Sequence, residues 1–520
     1  MSLLSIILLT TLSPPYFTTG STTPSSWNVL IANPFSGGSH QTVSLYLANL
    51  LAGKGHHVTY LSTNIPRTLH PKVKKLDLPL ATKKANAAMD NSAENNVFGK
   101  TKSWEEILEL LSGLANFCQD FFEEPNVQMV LNSGEKYDLL ITFGMFDGCG
   151  LALGHHLGIN NSVIHSPGPF ITPLQRTHLG IPLYASTYRL AGIKIADSRY
   201  LRESVLVRAL QLIENIVFSG LQGLLWRYSI DSVAYKHVHT SYPGYQDLYS
   251  STKMIFMNYH PHPMIDQTAT MGPGVINLGG SICSPLPSWD DETMLDLRDF
   301  VDSSSAPHYD GFILISFGSH VKRLREEEIA LWVEVFSRFP NYLVVWRLAP
   351  SHFTTTLPDN IKAYEWLPQQ ALLYHPNIRL FITHGGQASK MEALCAGGVP
   401  QLLVPRFAEQ FYSSQYYVDA GMAEQVIMTL GETSVEEITT KINRVMLVYA
   451  GKMKEVAKEV LETRVTDEQV LGYLRMAISG HRLLPGYQSW WQLFYLDIIL
   501  LPVASIIIVK FFIGKLRKYS

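Results

Sequence analysis

The sequence predicts an α/β fold with two domains, each built on a parallel sheet. A strand–loop–helix–strand unit opens the chain after a short apolar segment, and a second series of strands and helices begins near residue 312. The length of 520 residues is too great for one ordinary core. We therefore expect one domain over residues 25–280, a linker over 281–311 and a second domain over 312–480.

The first unit begins with the apolar strand Trp27–Asn33, followed by the proline- and glycine-rich loop Pro34–Ser39. A helix with one apolar face comes next, and two glycines end it before the strand His57–Leu61. Tyr137–Phe143 predicts another buried strand, with a helix behind it that runs through His155. This alternation of strand and helix is the building block of a parallel sheet.

Residues 165–250 are rich in large apolar residues and predict a helical insertion. This insertion would either form one wall of a site for an apolar ligand or face a membrane. The linker is polar and broken by proline and serine, with room for one short helix. The second domain then repeats the pattern. Its predicted elements are the strands Phe312–Phe317, Tyr342–Trp346, Ile378–Thr383 and Gln401–Val404, and the helix Glu326–Arg338.

Composition excludes some classes of function. The formal net charge of −3 gives no basic surface for nucleic acid, so no nucleic-acid partner is expected. Four cysteines lie far apart without metal-type spacing, and no metal site is expected. A disulfide scaffold is not expected either, although a single bridge remains open.

Both ends of the chain are apolar. Residues 1–20 resemble a secretory signal peptide, the alternative being a buried strand. Residues 493–514 are long enough to cross a bilayer, the alternative being a buried hairpin, and the basic residues of the tail 515–520 place that tail in the cytoplasm. Asn160 opens a glycosylation sequon. Together these features predict a single-pass protein of the endoplasmic reticulum membrane with a lumenal body.

The stretch "FITHGGQASKMEALCAGGVPQ" predicts an anion site. His384 ends a buried strand, two glycines allow a close backbone approach, and the helix that starts near Gln387 presents free N–H groups. Ser389 and Glu392 are three residues apart and share one helix face, so an acid lies one turn below a diphosphate site. The alternative is that the strand-end histidine is purely structural.

Two flanking segments extend this site. Upstream, Trp366 can stack on a base and Gln369 can hydrogen-bond its edge or the ribose. Downstream, Glu409 and Gln410 form an acid–amide pair suited to sugar hydroxyls.

This block resembles the UDP-glycosyltransferase family, whose signature reads W-x-P-Q, F-I-T-H-G-G, E-A, G-V-P and then acid–Q. The resemblance extends to "ISFGS" at Ile315–Ser319, to the linker and to both apolar ends, and the animal membrane-anchored branch fits best. It implies two Rossmann-like domains facing across a cleft (the GT-B type) plus one C-terminal transmembrane helix. The second domain would bind the UDP-sugar, a co-substrate and not a cofactor, and the first would bind the acceptor.

The family's functional residues can be placed on matching positions. Trp366 would stack the uracil, Gln369 would contact the uridine and Glu392 would hold the ribose. For each of these residues the alternative is a packing or capping role. The other assignments are a diphosphate cradle of Ser319, His384, Gly386 and Ser389, and sugar selection by Glu409 and Gln410.

The resemblance places the catalytic base at His40, in the loop before the first helix. Imidazole titrates near neutrality and can take a proton from an acceptor hydroxyl. The family's supporting acid falls at Phe143, so either Asp147, four residues on, replaces it or His40 works alone. The diphosphate turn also departs from the pattern, because Ala388 stands where the family has asparagine and Ser389 would have to compensate.

The sequence also limits which UDP-sugar and which acceptor are expected. Glucuronosyl-transferring members tend to carry an arginine where this chain has Met257, before Asn258, so UDP-glucose is the first choice and UDP-glucuronate the second. A small lipophilic alcohol or phenol is the expected acceptor, and a homo- or hetero-oligomer is left open. A different class of function is a membrane-anchored protein that binds a nucleotide-sugar without transferring it, which Phe143 and Ala388 favour.

Overall fold

The computed structural model describes residues 26–485 and Lys510, with gaps. The longest gaps are residues 83–116, 182–219, 261–271 and 284–293. The shorter gaps are 35–37, 64, 67, 145–146, 169–170, 172, 222, 225, 239–240, 319–320, 322, 354–355 and 407–409. The predicted signal peptide, and the predicted span apart from Lys510, lie outside the described residues. Within the described part of the chain, no helix is long and apolar enough to cross a membrane.

The first domain is organised around a seven-stranded sheet in the order β3-β2-β1-β4-β5-β6-β7, with every neighbouring pair parallel. Apolar side chains cover both faces, as expected for a parallel sheet that lies between helices. Its strands are β1 (Asn28–Asn33), β2 (His57–Ser62), β3 (Lys74–Asp77), β4 (Leu139–Phe143), β5 (Ser162–Ser166), β6 (Thr252–Met257) and β7 (Val275–Asn277).

The second domain repeats the design with a six-stranded parallel sheet in the order β10-β9-β8-β11-β12-β13. The predicted strands of both domains are confirmed to within two residues at each end. The strands here are β8 (Gly311–Ser316), β9 (Tyr342–Arg347), β10 (Ile361–Tyr364), β11 (Ile378–Thr383), β12 (Gln401–Leu403) and β13 (Ala423–Gln425).

Helices flank both sheets. In the first domain they are α1 (Thr42–Gly53), α2 (Pro125–Leu131), α3 (Asp147–His156), α4 (Pro173–Leu179), α5 (Ser232–His237) and α6 (Tyr245–Leu248). The linker contributes the expected short helix, α7 (Leu295–Asp302). The remaining helices are α8 (Glu326–Ser337), α9 (Gln369–Leu373), α10 (Gln387–Cys395), α11 (Gln410–Asp419), α12 (Val435–Arg444), α13 (Ala450–Glu462) and α14 (Asp467–Ile478).

Helix α14 packs back onto the first domain. Val470, Leu474 and Ala477 of α14 are fully buried in the core on one face of the first sheet. The Tyr46 hydroxyl of α1 donates to Asp467 at 2.6 Å, close to where α14 begins. Residues 467–478 lie in the range predicted for the second domain, yet their packing ties the two domains together.

All four cysteines are paired, so the expectation that no disulfide scaffold exists is wrong. Cys118 bonds Cys149 across a sequence separation of 31, and Cys283 bonds Cys395 across 112. Sequence spacing could not show this, because the sheets bring each pair of Cα atoms to within 5.4 Å. The second disulfide joins the start of the linker to the last residue of α10.

Candidate active site

The glycine turn lies at the carboxyl edge of the second sheet, between the end of β11 and the start of α10. The His384 ring fills the space beside two glycines: a Cβ on Gly318 would lie 2.6 Å from its Cε1, and one on Gly386 2.5 Å from its Nε2. Gly318 also has a φ of +80°, which side chains rarely adopt. The absence of a side chain at these two positions therefore lets the imidazole approach both loops of the predicted diphosphate cradle closely.

A cluster of polar side chains lies one turn along α10. The Gln369 amide donates to Glu392 at 2.6 Å and to the Ser389 hydroxyl at 3.2 Å, which confirms that the serine and the acid share a helix face. Gln370 donates to the second Glu392 oxygen at 3.2 Å. Burial raises the pKa of Glu392, and the two amides oppose that shift. Gln370 was missed by the sequence reasoning, although it follows Gln369 directly in the same motif.

The other donor-site residues are placed as follows. Trp366 precedes α9 and is 54% exposed, so its indole is accessible for stacking. Gln410 begins α11 and is buried, and its side-chain oxygen accepts from the Arg406 backbone N–H at 3.0 Å. Ser319 and Glu409 lie outside the described residues. The roles of all four in binding a donor stay predictions.

A buried ion pair, which the sequence analysis did not predict, packs beside the loop that contains Gly318 and the loop before Gln410. Arg406 follows β12 and its guanidinium contacts both carboxylate oxygens of Glu328 on α8, with Nη1 to Oε2 at 3.1 Å. The side chains are 3% and 0% exposed. The same guanidinium lies 4.1 Å from the centroid of the Phe317 ring, one residue before Gly318. An arginine just after a buried strand was the available sequence signal.

The two domains meet at α10. The Gln387 amide, at the start of that helix, contacts the Asn258 carbonyl oxygen at 3.4 Å. The turn Gly38–Gln41, which carries His40, also packs against α10. A small cleft between the domains is lined by Thr42, Ile282, Cys283, Gln370, Tyr374, Ala388, Glu392 and Cys395. The predicted base and the predicted donor site therefore face each other, as the resemblance implies.

The predicted base His40 is half-buried beside an aromatic ring. The centroids of His40 and Phe143 are 5.8 Å apart with the planes inclined by 28°. Phe143 is fully buried at the end of β4, and its centroid lies 5.5 Å from that of His165 on β5. The position where the family places its acid is thus occupied by a ring in contact with the imidazole.

Asp147 begins α3 and is fully buried. Its carboxylate accepts a hydrogen bond from the Gln175 amide at 2.7 Å. Burial raises the pKa of Asp147 from 3.8 to about 7, and hydrogen bonds from Gln175 and Tyr249 oppose the shift. These contacts describe a structural acid held among polar groups of the first domain. Its pairing with His40 stays a prediction.

The pH dependence of stability tests this description of Asp147. Because its pKa is higher in the folded chain than unfolded, its stabilising contribution is full below about pH 4 and is lost as pH rises through 7. Asp147→Asn should therefore make the chain more stable at pH 8 by up to a few kcal/mol and change little at pH 4. Thermal melting of both chains across this range is the measurement.

Asp296→Asn is the matched control. Lys362 and Tyr364 hydrogen-bond to Asp296 and lower its pKa, so this change should weaken the chain at pH 8. A loss of turnover by orders of magnitude in Asp147→Asn, with unchanged melting curves, would instead identify Asp147 as the partner of His40.

Met257 is the last residue of β6, and its side chain is fully buried in the first-domain core. It therefore does not line the cleft, and an arginine introduced there would be an unpaired buried charge. The sequence argument for UDP-glucose, which is that this chain lacks an arginine at position 257, therefore gains no support from a contact of this side chain with the cleft, and the choice of donor stays a prediction. Asn258 is the residue of this pair that reaches α10, through its backbone carbonyl.

The two parallel sheets with their flanking helices define a class of fold, that of the GT-B glycosyltransferases. The nucleotide-sugar site in the second domain stays a prediction. Solved structures support the fold. A calicheamicin glycosyltransferase, CalG4, has a TM-score of 0.55 at 16% identity, covering 87% of this chain and 98% of that one. UGT89C1 of Arabidopsis thaliana, complexed with UDP, has a TM-score of 0.54 at 14% identity, covering 87% and 99%.

The family described as UDP-glucoronosyl and UDP-glucosyl transferase matches residues 38–520, and the chain belongs to it. It is 24% identical to UDP-glucuronosyltransferase 3A1 of Bos taurus over 92% of this chain and 91% of that protein. Against UDP-glucosyltransferase 2 of Dactylopius coccus the identity is 23%, covering 91% and 88%. Against 2-hydroxyacylsphingosine 1-beta-galactosyltransferase of Rattus norvegicus it is 25%, covering 94% and 88%. The chain is a UDP-glycosyltransferase.

Proposed function

We propose that the chain transfers a hexose, with glucose as the first choice, from its UDP-sugar to a hydroxyl of a small lipophilic acceptor. The observation that carries the proposal is the convergence of Gln369, Ser389 and Glu392 beneath the His384 turn, opposite the turn that carries His40. UDP-glucuronate is the second candidate donor, since relatives include proteins named for glucuronosyl, glucosyl and galactosyl transfer.

The chemistry follows from this arrangement. His40 takes the proton of the acceptor hydroxyl, and the oxygen attacks the anomeric carbon from the side opposite UDP, which inverts the configuration. The N–H groups at the start of α10 and the His384 ring stabilise the departing diphosphate. Glu392 accepts hydrogen bonds from the ribose hydroxyls. No metal ion is needed in this scheme.

A panel of UDP-sugars against phenolic and aliphatic alcohol acceptors tests the proposal. We expect UDP release that depends on the acceptor and is fastest with UDP-glucose. Fastest turnover with UDP-glucuronate would move the assignment to the second donor. Tight UDP binding without acceptor-dependent release from any donor would favour a binding protein.

Removing the Glu392 carboxylate should weaken donor binding. Hydrogen bonds to a charged group contribute about 1.5–3 kcal/mol each, so Glu392→Ala should raise the Kd for UDP by about 10- to 150-fold. Calorimetric titration with UDP measures this. The control is Glu455→Ala, an exposed acid on α13 that pairs with Lys452 and should leave the Kd unchanged. Equal affinities for Glu392→Ala and the parent chain would remove Glu392 from the site.

We also propose that the chain is held in the endoplasmic reticulum membrane by residues 493–514, with the catalytic body in the lumen and Asn160 glycosylated. The Asn160 side chain is exposed before β5, so an oligosaccharide could be accommodated. Truncation can test the anchor, but the site of truncation matters. Leu484 is buried in the first-domain core and the Leu483 N–H donates to the Lys253 carbonyl at 2.9 Å, so the body extends past Gly480.

A chain that ends after Pro485 should be released from membranes as a folded body that binds UDP. Alkaline carbonate extraction of the full and truncated chains is the measurement. A chain ending after Gly480 serves as the comparison and should melt at lower temperature, because it lacks Leu483 and Leu484. If the Pro485 chain still resists extraction, the protein has a second membrane contact.

A further inference from the structure

Two consecutive ring contacts connect the first sheet to the predicted base His40. Phe143 and His165 are direct partners in the parallel register of β4 and β5, each near the carboxyl end of its strand. Phe143 in turn contacts His40, so the order is His165, Phe143, His40. The rings of Phe143 and His165 are fully buried, and the surrounding packing fixes their positions relative to the sheet.

Asn33, at the end of β1, is connected by hydrogen bonds to the turn Gly38–Gln41, which carries His40. Its Oδ1 lies 2.6 Å from His165 Nε2, and its amide nitrogen donates to the Ser44 hydroxyl at 2.6 Å and the Tyr60 hydroxyl at 2.9 Å. The Ser44 hydroxyl donates to the Gln41 carbonyl at 3.0 Å. Gln41 is the last residue of the turn that carries His40, so Asn33 reaches that turn through hydrogen bonds and through the rings.

The hydrogen bonds assign a tautomer to His165. In the arrangement where the Ser44 hydroxyl donates to the Gln41 carbonyl and accepts from the Tyr60 hydroxyl or the Asn33 amide nitrogen, the Asn33 oxygen faces His165. An amide oxygen only accepts, so the hydrogen is on His165 Nε2. Burial, and to a lesser extent the nearby His40, lower the pKa of His165 to about 3, so the ring is neutral at working pH. His165 therefore carries no charge beside Phe143.

We propose that Asn33 and His165 are positioning residues for the His40 imidazole and take the orienting role of the carboxylate that this chain lacks at Phe143. The inference rests on the proposed function, in which His40 is the base. A catalytic carboxylate both orients its histidine and stabilises the imidazolium. The ring contacts and the Asn33 hydrogen bonds orient the imidazole without a charge.

The test uses three variants and a control in the full-length chain. His165→Phe keeps a ring beside Phe143 and loses the bond to Asn33, His165→Gln keeps a donor for that bond, and Asn33→Ala removes it. Asn28→Ala is the matched control, because Asn28 lies at the opposite end of β1 and donates to the Lys136 carbonyl at 2.7 Å. Turnover, KM for the UDP-sugar, melting temperature and amide hydrogen exchange over residues 38–44 are measured for each.

We expect Asn33→Ala and His165→Phe to lower kcat by about 10- to 100-fold with KM for the donor unchanged, because displacement of a reacting group by about 1 Å costs up to that factor. His165→Gln should recover most of the loss. Exchange over residues 38–44 should be faster in the two impaired variants and unchanged in Asn28→Ala.

Three results would overturn the proposal: unchanged exchange over 38–44 in both impaired variants, faster exchange with wild-type kcat, or an equal loss in Asn28→Ala. If the parent chain transfers no sugar from any donor, the proposed function fails. In that case hydrogen exchange over 38–44 still decides whether Asn33 and His165 hold the turn.

Discussion

His40→Ala is expected to lower transfer by a factor of about 10²–10⁴, the usual contribution of a general base, while UDP binding stays nearly intact. The separation follows from the architecture, because His40 belongs to the first domain, whereas Gln369, Ser389 and Glu392, the cluster proposed to bind UDP, belong to the second. Initial rates of UDP release at saturating donor, together with calorimetric UDP titration, measure the two effects.

His57→Ala is the control for this experiment, since His57 is exposed at the start of β2, away from the carboxyl edge where His40 lies. Full activity in His40→Ala would show that another group takes the acceptor proton. An inactive parent chain that gains transfer on Phe143→Asp would favour a nucleotide-sugar-binding protein that has lost its catalytic acid.

Arg406→Met is expected to destabilise the second domain by about 3–5 kcal/mol, because it leaves the Glu328 carboxylate buried without its cation. The loss should also weaken UDP-sugar binding. The Arg406 guanidinium lies over the Phe317 ring, one residue before Gly318, so the variant removes a contact that supports this donor loop. The Arg406 backbone N–H donates to Gln410, and methionine keeps that hydrogen bond. Denaturant unfolding with and without UDP-glucose measures stability and affinity together.

The double variant Arg406→Met/Glu328→Met separates charge from packing. A buried ion pair replaced by apolar side chains is often close to neutral, so the double variant should regain most of the stability lost in Arg406→Met. If the double variant is as unstable as the single one, the stability depends on packing around Arg406 and the charge contributes little.

Local sequence patterns were sufficient for the framework of this protein. The strand Ile378–Thr383 and the helix beginning at Gln387 were predicted at the residues where they occur, because runs of buried apolar residues and paired glycines act within a few residues of one another. The shared face of Ser389 and Glu392 follows from helix periodicity alone. The prediction that the glycine turn binds an anion likewise needs only the strand–turn–helix order, which is confirmed, while anion binding itself stays a prediction.

Only the tertiary structure determines the partners of the buried polar groups. The order and direction of the strands in each sheet bring together residues from distant parts of the chain. Asn33 and His165 are 132 residues apart, and Arg406 and Glu328 are 78 apart. Met257 points into the core because side chains along β6 alternate between the two faces of the sheet. A short motif does not determine which face a given residue takes. The return of α14 to the first sheet depends in the same way on an apolar face exposed by other elements.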